Sequence, residues 1–480
     1  MNSVNINDYF KLGLDTDSEG IDTPALLNTF RTAPDNVNTL HNRVTFKVPK
    51  NGLLTQDSGV VIQCNLTSTA NANVDNGLNI VNGILGCVKR STVLIDSKPL
   101  IDLENPSYIE TNKLYSRNNP ARLLDFHKNL LGNSFITNEN ENNNVTNDSR
   151  GKEQLAHNEC GVIPANNGVN RFFPQREQLQ VVNAQNKRYF IPLHMLGCNF
   201  LRYNSLPVYL MKDRDIELQL EFDTNAGNWS FNSSTVAGMV ASGAEVDLSE
   251  CELVTTHVLL DEEVESEQRA MLQQEQVSYS LIESYLVKGV FTSTTVGTAG
   301  NDLYRLNLQN REVHKLLTCF RNLESENNGL NPLGNQASNS MGDEVYNYRI
   351  NGQLVFDDDV SNDAVSFYLN ALQNNGQSLK VSKTAWSHTT LDNYQVKNNV
   401  NPSGLCYRGK FHYLGLDCQN GNGGVFGSGT AMRTPLELIY QATPVSTANP
   451  KQNGKTVDVF FYVSASKLLK ISSNNVVISF

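Results

Sequence analysis

Apolar and polar residues alternate with a period of two in many short segments of the chain, and turn residues separate these segments. The clearest segment is IELQLEF at 216–222, which alternates without a fault. Such alternation indicates a strand with one buried face and one exposed face. Similar strands are predicted at 44–48, 60–66, 93–96, 303–308, 346–350, 436–440, 457–463 and in the final NNVVISF. The pattern therefore predicts a chain built mainly from β-sheet.

Helices are predicted at four places, each with a defined start. Asn105 and Asn119 each precede a proline, which supplies an N-cap followed by proline at the first helical position, and Gly132 ends the second of these helices. A third helix begins near Asn362. A fourth runs from Asp261 as DEEVESEQRAMLQQ, with acidic residues that suit its N-terminus. Because similar strands lie on both sides of it, we interpret the fourth helix as the connection between two halves of the chain.

An internal repeat supports two copies of one β-sandwich. IDSKPLID at 95–102 aligns without gaps with INGQLVFD at 350–357, and each copy predicts a strand, a two-residue turn, a second strand and a capped helix. Downstream, FIPLHMLGC and then IELQLEF resemble FHYLGLDC and then LELIYQA. The predicted domains are an N-terminal arm at 1–35, a first sandwich at 36–260, a connecting helix at 261–275 and a second sandwich at 276–480.

The composition favours sheets joined by long loops. Asn makes up about one residue in eight, roughly three times its ordinary share, and it favours turns and left-handed backbone. Only 18% of the residues are charged, whereas helical proteins use more Glu, Lys and Ala. Long polar loops are predicted at about 134–186, 223–250, 322–344, 384–405 and 419–433.

The charge of the chain argues against two classes of partner. It carries 38 basic and 49 acidic residues, a net charge of −11, and no Lys/Arg-rich run. We therefore expect neither sequence-specific nucleic-acid binding nor a polybasic membrane patch.

No segment approaches the ~18 apolar residues of a membrane-spanning helix. The first residues show no positive region followed by an apolar one, so we expect no secretory signal and synthesis in the cytosol.

Catalytic and metal-binding motifs are missing from the sequence. HExxH, GxSxG and GxGxxG do not occur, and NGKT at 453–456 lacks the first glycine of a phosphate-binding loop. The eight His are scattered, and no CxxC occurs. The acidic run at 357–359 could bind a hard cation, but we interpret it as a strand end and helix cap. We predict no catalytic, cofactor-binding or metal-binding residues.

Two other groups of residues have a structural and a functional interpretation. The glycines at 421–429 could hold an anion, although a flexible loop tip is the simpler interpretation. Cys406 with Cys418, and Cys87 with Cys319, are conceivable disulfides. With so few cysteines and no secretory signal, we expect buried thiols that act as small apolar side chains instead.

Five longer segments, which span most of the chain from about residue 40, resemble those of one known family. They are FKVPKNGLLTQDSGVVIQCNL at 46–66, NGILGCVKRSTVLIDSKPLID at 82–102, RYFIPLHMLGCNFLRYNSLPVYLMKDRDIELQLEF at 188–222, YRINGQLVFDDDVSNDAVSFYLNAL at 348–372 and VDVFFYVSASKLLKISSNNVVISF at 457–480. The family is that of the double jelly-roll major capsid proteins. The likeness is closest to members from virophages and polinton-like viruses.

This resemblance implies an all-β fold of two tandem eight-stranded jelly rolls with short helical insertions and long loops. It implies a structural protein, without enzymatic activity or cofactor, whose homotrimers form pseudo-hexameric capsomers that tile an icosahedral capsid. The implied partners are other copies of the chain, minor capsid and penton proteins, and an inner membrane reached by the N-terminal arm. The implied location is the virion, after synthesis in the host cytoplasm.

Two other classes of protein, glycan-binding proteins and enzymes, also suit a pair of β-sandwiches. A glycan-binding lectin-like or fibre protein could stack a sugar on an exposed Trp229, although a loop anchor is the simpler role for that residue, and Trp386 gives no further hint. A tandem jelly-roll glycan hydrolase would use paired carboxylates, which leave no local motif. A two-domain cupin oxidase would need His ligands in a pattern that this sequence lacks.

Overall fold

The structure is a computed structural model, and it consists mainly of antiparallel β-strands. The residues that it describes are 26–67, 76–78, 83–110, 131, 186–202, 205–232, 243–274, 276–321, 341–361, 413–418, 429–444, 454, 456–472 and 475–479. In this part of the chain, no helix is long and apolar enough to cross a membrane.

The strands fall into two groups on either side of one long helix, α1 (Glu262–Gln274). The first group is β1 (Leu26–Thr32), β2 (Asn36–Asn38), β3 (Arg43–Lys47), β4 (Leu53–Leu54), β5 (Gly59–Thr67), β6 (Asn76–Leu78), β7 (Val88–Ile95), β8 (Lys98–Glu104), β9 (Lys187–Pro192), β10 (Leu206–Pro207), β11 (Ile216–Phe222), β12 (Ser230–Asn232) and β13 (Gly243–Leu259). The second group is β14 (Val277–Thr292), β15 (Gly300–Leu306), β16 (Glu312–Phe320), β17 (Asp343–Ile350), β18 (Gln353–Leu354), β19 (Tyr413–Asp417), β20 (Thr430–Ala431), β21 (Leu436–Thr443), β22 (Thr456–Ile471) and β23 (Val476–Ser479).

The remaining helical elements are short. Five 3-10 helices occupy Gly83–Cys87, Leu193–Leu196, Asn199–Arg202, Val208–Met211 and Ala226–Asn228 within the described residues. A helical segment begins at Pro106, as the sequence predicts, and α1 begins after Asp261, whose Oδ1 accepts a hydrogen bond from the Glu263 N–H at 3.3 Å. The second predicted helix, apart from residue 131, and the third predicted helix lie outside the described residues.

Strands β1–β13 form the first sandwich. One of its sheets has the strand order β10-β4-β13-β5-β9, with β1 paired to the other side of β13. The second sheet has the order β2-β3-β11-β7-β8, and β12 and β6 form a separate two-stranded sheet. Strand β11 alternates buried and half-buried residues along its whole length, as its sequence predicts. Buried apolar residues of the two larger sheets fill the space between them.

Strands β14–β23 form the second sandwich. One sheet has the order β14-β22-β16-β19, with β20 added to β16 and β23 added to β22. The other sheet has the order β15-β21-β17-β18. A second cluster of buried apolar residues, which includes Phe291, Tyr440 and Phe461, lies between them.

The two sandwiches share one strand order. In the larger sheets, β1, β13, β5 and β9 correspond to β14, β22, β16 and β19, and in the facing sheets β3, β11, β7 and β8 correspond to β15, β21, β17 and β18. The predicted repeat of one sandwich is thereby confirmed. The correspondence also places β1 inside the first sandwich, whereas the sequence assigned 26–32 to an N-terminal arm that ends at residue 35.

The repeated hairpin has the same turn in both sandwiches. Asp96 and Ser97 have φ of 49° and 64°, and Asn351 and Gly352 have φ of 50° and 85°. Two consecutive left-handed residues define a type I′ turn, the turn that suits a two-residue β-hairpin. The hairpins predicted from the aligned octapeptides are confirmed.

The first side chain of each turn also has the same role. The Asp96 Oδ1 accepts a hydrogen bond from the Asp215 N–H at 3.1 Å, next to the start of β11. The Asn351 Oδ1 accepts one from the Arg433 N–H at 2.7 Å, shortly before β21. In each sandwich the turn therefore holds the beginning of the strand that pairs with its hairpin.

Three predicted loops contain strand residues, since that at about 322–344 includes the first two residues of β17. The predicted loop at 223–250 includes β12 and the first residues of β13, and the predicted loop at 419–433 includes β20. Strands β12 and β20 are too short for a pattern, whereas β13 begins with a clear alternation of the buried Ala244, Val246 and Leu248 that the prediction overlooked. The loop predicted at 384–405, and that at 134–186 apart from its last residue, lie outside the described residues.

Candidate functional site at the joint between the sandwiches

The end strand of the first sandwich meets the second sandwich. Among the described strands, β8 is the last of its sheet, so one of its edges is not hydrogen-bonded to another strand of that sheet. Strands β14, β22 and β23 of the second sandwich lie beside β8 and residues 105–110. We call this contact the joint. A buried strand edge is costly unless its N–H and C=O groups find partners.

Two side chains of the second sandwich complete the edge of β8. The Lys467 Nζ on β22 donates to the C=O of Pro99 at 3.2 Å and to the C=O of Leu100 at 2.8 Å. The Glu283 Oε1 on β14 accepts a hydrogen bond from the Asp102 N–H at 3.1 Å. Two C=O groups and one N–H group of β8 thus have hydrogen-bond partners in the other sandwich.

Glu283 and Lys467 also pair with each other. The Lys467 Nζ lies 2.6 Å from the Glu283 Oε2, and the two side chains are 3% and 5% exposed. Leu281 pairs with Lys467 and Glu283 with Ala465, so the two charged residues are diagonal neighbours. Burial raises the pKa of Glu283, and the adjacent Lys467 opposes that rise. Removing either residue would leave a buried charge without its partner.

Aromatic residues extend the joint along β22. Tyr108 packs edge-on against Phe460 with ring centroids 5.6 Å apart and stacks on Tyr462 at 6.4 Å. The Tyr462 hydroxyl donates to the Asn105 C=O at 3.0 Å. The neighbouring Phe461 faces the core of the second sandwich instead. The run at 459–463 is therefore buried on both faces, which explains why it is continuously apolar.

Exposed polar contacts surround the buried part of the joint. Lys288 forms an ion pair with Glu104, and the Lys98 Nζ donates to the Val476 C=O at 3.3 Å. An open cleft of about 480 Å³ lies beside these contacts, and Arg311 stacks on the Tyr285 ring there at 4.6 Å. The acidic residues that line the cleft are already paired with basic neighbours. The geometry of the joint fixes one sandwich against the other.

Lys467 and Glu283 were not identified from the sequence. The signal was present in β22, where positions 465, 467, 469 and 471 are buried and only the second is charged. A lysine in a buried series of alternating positions indicates a buried partner.

The cysteines that the structure describes are buried thiols, as the sequence predicts. Within the described part of the chain, six cysteines are free and buried, and Cys87 and Cys319 form no disulfide. Burial raises the pKa of Cys64, Cys198 and Cys418 to about 12. Cys406, the other half of the second conceivable pair, lies outside the described residues.

Trp229 is not available to stack on a sugar. Its side chain is buried in the core of the first sandwich, contrary to the exposed position that a lectin-like site requires. The preceding 3-10 turn is held by Asn228, whose Nδ2 donates to the Asp223 Oδ2 at 2.6 Å, and this turn brings the indole inward. The simpler prediction, a loop anchor, is confirmed. Trp386 lies outside the described residues.

The acidic run at 357–359 lies on the surface after β18. The Asp359 Oδ1 accepts a hydrogen bond from the Asn347 Nδ2 at 2.9 Å, which ties the run to β17. Among the described residues, no group of three or more His, Cys, Asp or Glu side chains could hold a metal ion. Most of the glycines at 421–429 and of NGKT at 453–456 lie outside the described residues. The absence of catalytic residues stays a prediction.

Two sandwiches whose corresponding strands have the same order, joined in one chain, define the double jelly-roll fold. Solved structures with this fold are similar over nearly the whole chain. PBCV-1 VP54, fitted into a reconstruction of the virophage Sputnik, has a TM-score of 0.56 and 13% identity, with 97% of this chain and 99% of that chain covered. No protein-family model and no curated protein matches the sequence.

Two named major capsid proteins have a similar fold. The Faustovirus major capsid protein has a TM-score of 0.55 and 12% identity, with 98% of this chain and 94% of that chain covered. The mavirus major capsid protein has a TM-score of 0.53 and 10% identity, with 100% of this chain and 96% of that chain covered. The double jelly-roll fold predicted from the sequence is confirmed.

Proposed function

We propose that this chain is a major capsid protein whose homotrimers act as pseudo-hexameric capsomers on the faces of an icosahedral virion. The observation that carries the proposal is the repeated strand order within a chain that matches capsid proteins from end to end. Three chains with two similar sandwiches each give six similar lobes, which suit a hexagonal lattice. The joint supports this role, because a lattice needs the two lobes of each chain at a constant relative position.

The partners and location follow from the same proposal. The chain would associate with other copies of itself, with minor capsid and penton proteins, and with an inner membrane through residues before β1. Its final location would be the virion, after synthesis in the host cytoplasm. The protein would be structural, without an enzymatic activity.

The native mass of the purified chain tests the proposal. A trimer of the 53.3 kDa chain has a mass of about 160 kDa, and we expect this mass together with pseudo-hexagonal particles in negative stain. The contact between chains should exceed the ~1,200–2,000 Å² of an ordinary complex. A stable monomer at micromolar concentration would contradict the proposal and would redirect the work to glycan binding and glycan hydrolysis.

A further inference from the structure

The described residues make one of two equivalent contacts between the sandwiches. In the joint, the end strand β8 of the first sandwich is covered by β14 and β22. The counterpart of β8 is β18, and the counterparts of β14 and β22 are β1 and β13. In the described part of the chain, β18 exposes Gln353 and Leu354, and β1 exposes Leu27, Thr29 and Arg31. Among the residues that the structure describes, the second pair of surfaces is therefore uncovered.

We propose that β18 and the acidic residues after it bind β1 of a second copy of this chain. The inference rests on the proposed function, because it specifies the contact between chains of the trimer. In a closed ring of three chains, first and second sandwiches alternate. Each contact inside a chain is then followed by one between chains, formed by the equivalent strands.

The charges of the two uncovered surfaces are complementary. The aligned repeat places Asp357 at the position of Asp102, and two residues further Asp359 at that of Glu104. In the joint, Glu104 forms its ion pair with Lys288 of the other sandwich. The run at 357–359 thus occupies the position from which an acidic residue reaches the neighbouring sandwich.

The β1 surface carries a basic residue that can pair with the acidic run at 357–359. Arg31 on β1 is 71% exposed, and its ion pair with Glu252 is long, at 3.7 Å. Exposed pairs of this kind contribute little and are easily rearranged. Asp357 and Asp358 are exposed and free to approach from a second chain. Arg31 of one copy would pair with this run of the next.

Charge reversal and charge exchange test the contact. The variant Arg31→Glu and the double variant Asp357→Arg with Asp358→Arg each place like charges opposite one another. We expect each to raise the chain concentration at which half of the trimer dissociates by about tenfold or more, measured by analytical ultracentrifugation. A chain that carries all three substitutions restores opposite charges, so its trimer should regain most of the lost affinity.

Arg305→Glu is the matched control. Arg305 lies on β15, is 68% exposed, and has an ion pair with Glu437, so its reversal changes the net charge equally away from the proposed contact. Circular dichroism checks that each variant folds. If Arg31→Glu does not fold, the double variant Asp357→Arg with Asp358→Arg tests the contact alone. Trimers unaffected by both reversals, or a triple variant without recovery, would overturn the inference. A monomeric wild-type chain would instead overturn the proposed function.

Discussion

Strands β1 and β14 occupy the same position in the two sandwiches but are held in different ways. β14 has sixteen residues, and it buries Tyr279, Leu281 and Glu283 against the first sandwich. β1 has seven residues, all paired to β13, yet none of its described side chains is buried. The backbone pairing is the same, so the difference lies in what covers each strand. β14 is covered inside the chain, whereas the cover of β1 is proposed to come from a neighbour.

Removing the buried cation of Lys467 should destabilise the covered strand β14 more than any other substitution considered. Lys467→Met leaves Glu283 buried without its partner and removes the hydrogen bonds that the C=O groups of Pro99 and Leu100 accept from Lys467. We expect the free energy of unfolding to fall by about 3–5 kcal/mol, measured by urea denaturation. The control is Lys288→Met in the exposed pair with Glu104, where about 1 kcal/mol or less is expected. Equal losses in the two variants would contradict the role of Lys467.

One substitution made on both strands compares them directly. Leu281→Ala on β14 removes a fully packed side chain and should cost about 2–5 kcal/mol. Leu27→Ala on β1 alters a side chain that is 60% exposed, so the expected change is within about 0.5 kcal/mol. Thermal unfolding of the dissociated chain measures both. If the two variants lost similar stability, β1 would be anchored by contacts other than those described.

Acid should weaken the attachment of β1 through His257. This residue of β13 is fully buried, pairs with Asn28 on β1 and packs edge-on against Phe30 at 5.3 Å. Burial lowers the pKa of His257 below its ordinary value, so the folded state favours the neutral ring. Its contribution to stability is therefore complete above the unfolded-state pKa, ~6.5, and is lost as pH falls through that value toward the folded-state pKa.

The expected effect is at most about 1.4 kcal/mol per pH unit between pH 7 and pH 5. His257→Gln should remove this component, measured as the difference in pH dependence of unfolding between the two proteins. Glu283 has the opposite effect: because its pKa is raised in the folded state, its contribution to stability grows as pH falls. This contribution is the same in the wild type and the variant, so it cancels in the difference. Parallel pH profiles of wild type and variant would show that His257 does not contribute.

The sequence predicted those features whose signals are local. Strand β11 alternates strictly, and the two-residue turns at Asp96 and Asn351 have residues that accept left-handed backbone. Strand β1 was missed because LLNTFRT alternates weakly between apolar and polar residues, a consequence of its exposed position. The joint was missed for another reason. Glu283 and Lys467 are 184 residues apart, and their common partner β8 lies in the other sandwich.

The completion of β8 by Lys467 sets an order of events during synthesis. The C=O groups of Pro99 and Leu100 accept hydrogen bonds from Lys467, which is synthesised 368 and 367 positions later. A ribosome adds ~5–20 residues per second, so the first half leaves it many seconds before its edge can be closed. During that interval the nascent chain carries an open strand edge, the feature through which unfinished β proteins aggregate. Cellular chaperones that shield strand edges are expected to act on the amino-terminal half until the last strands emerge.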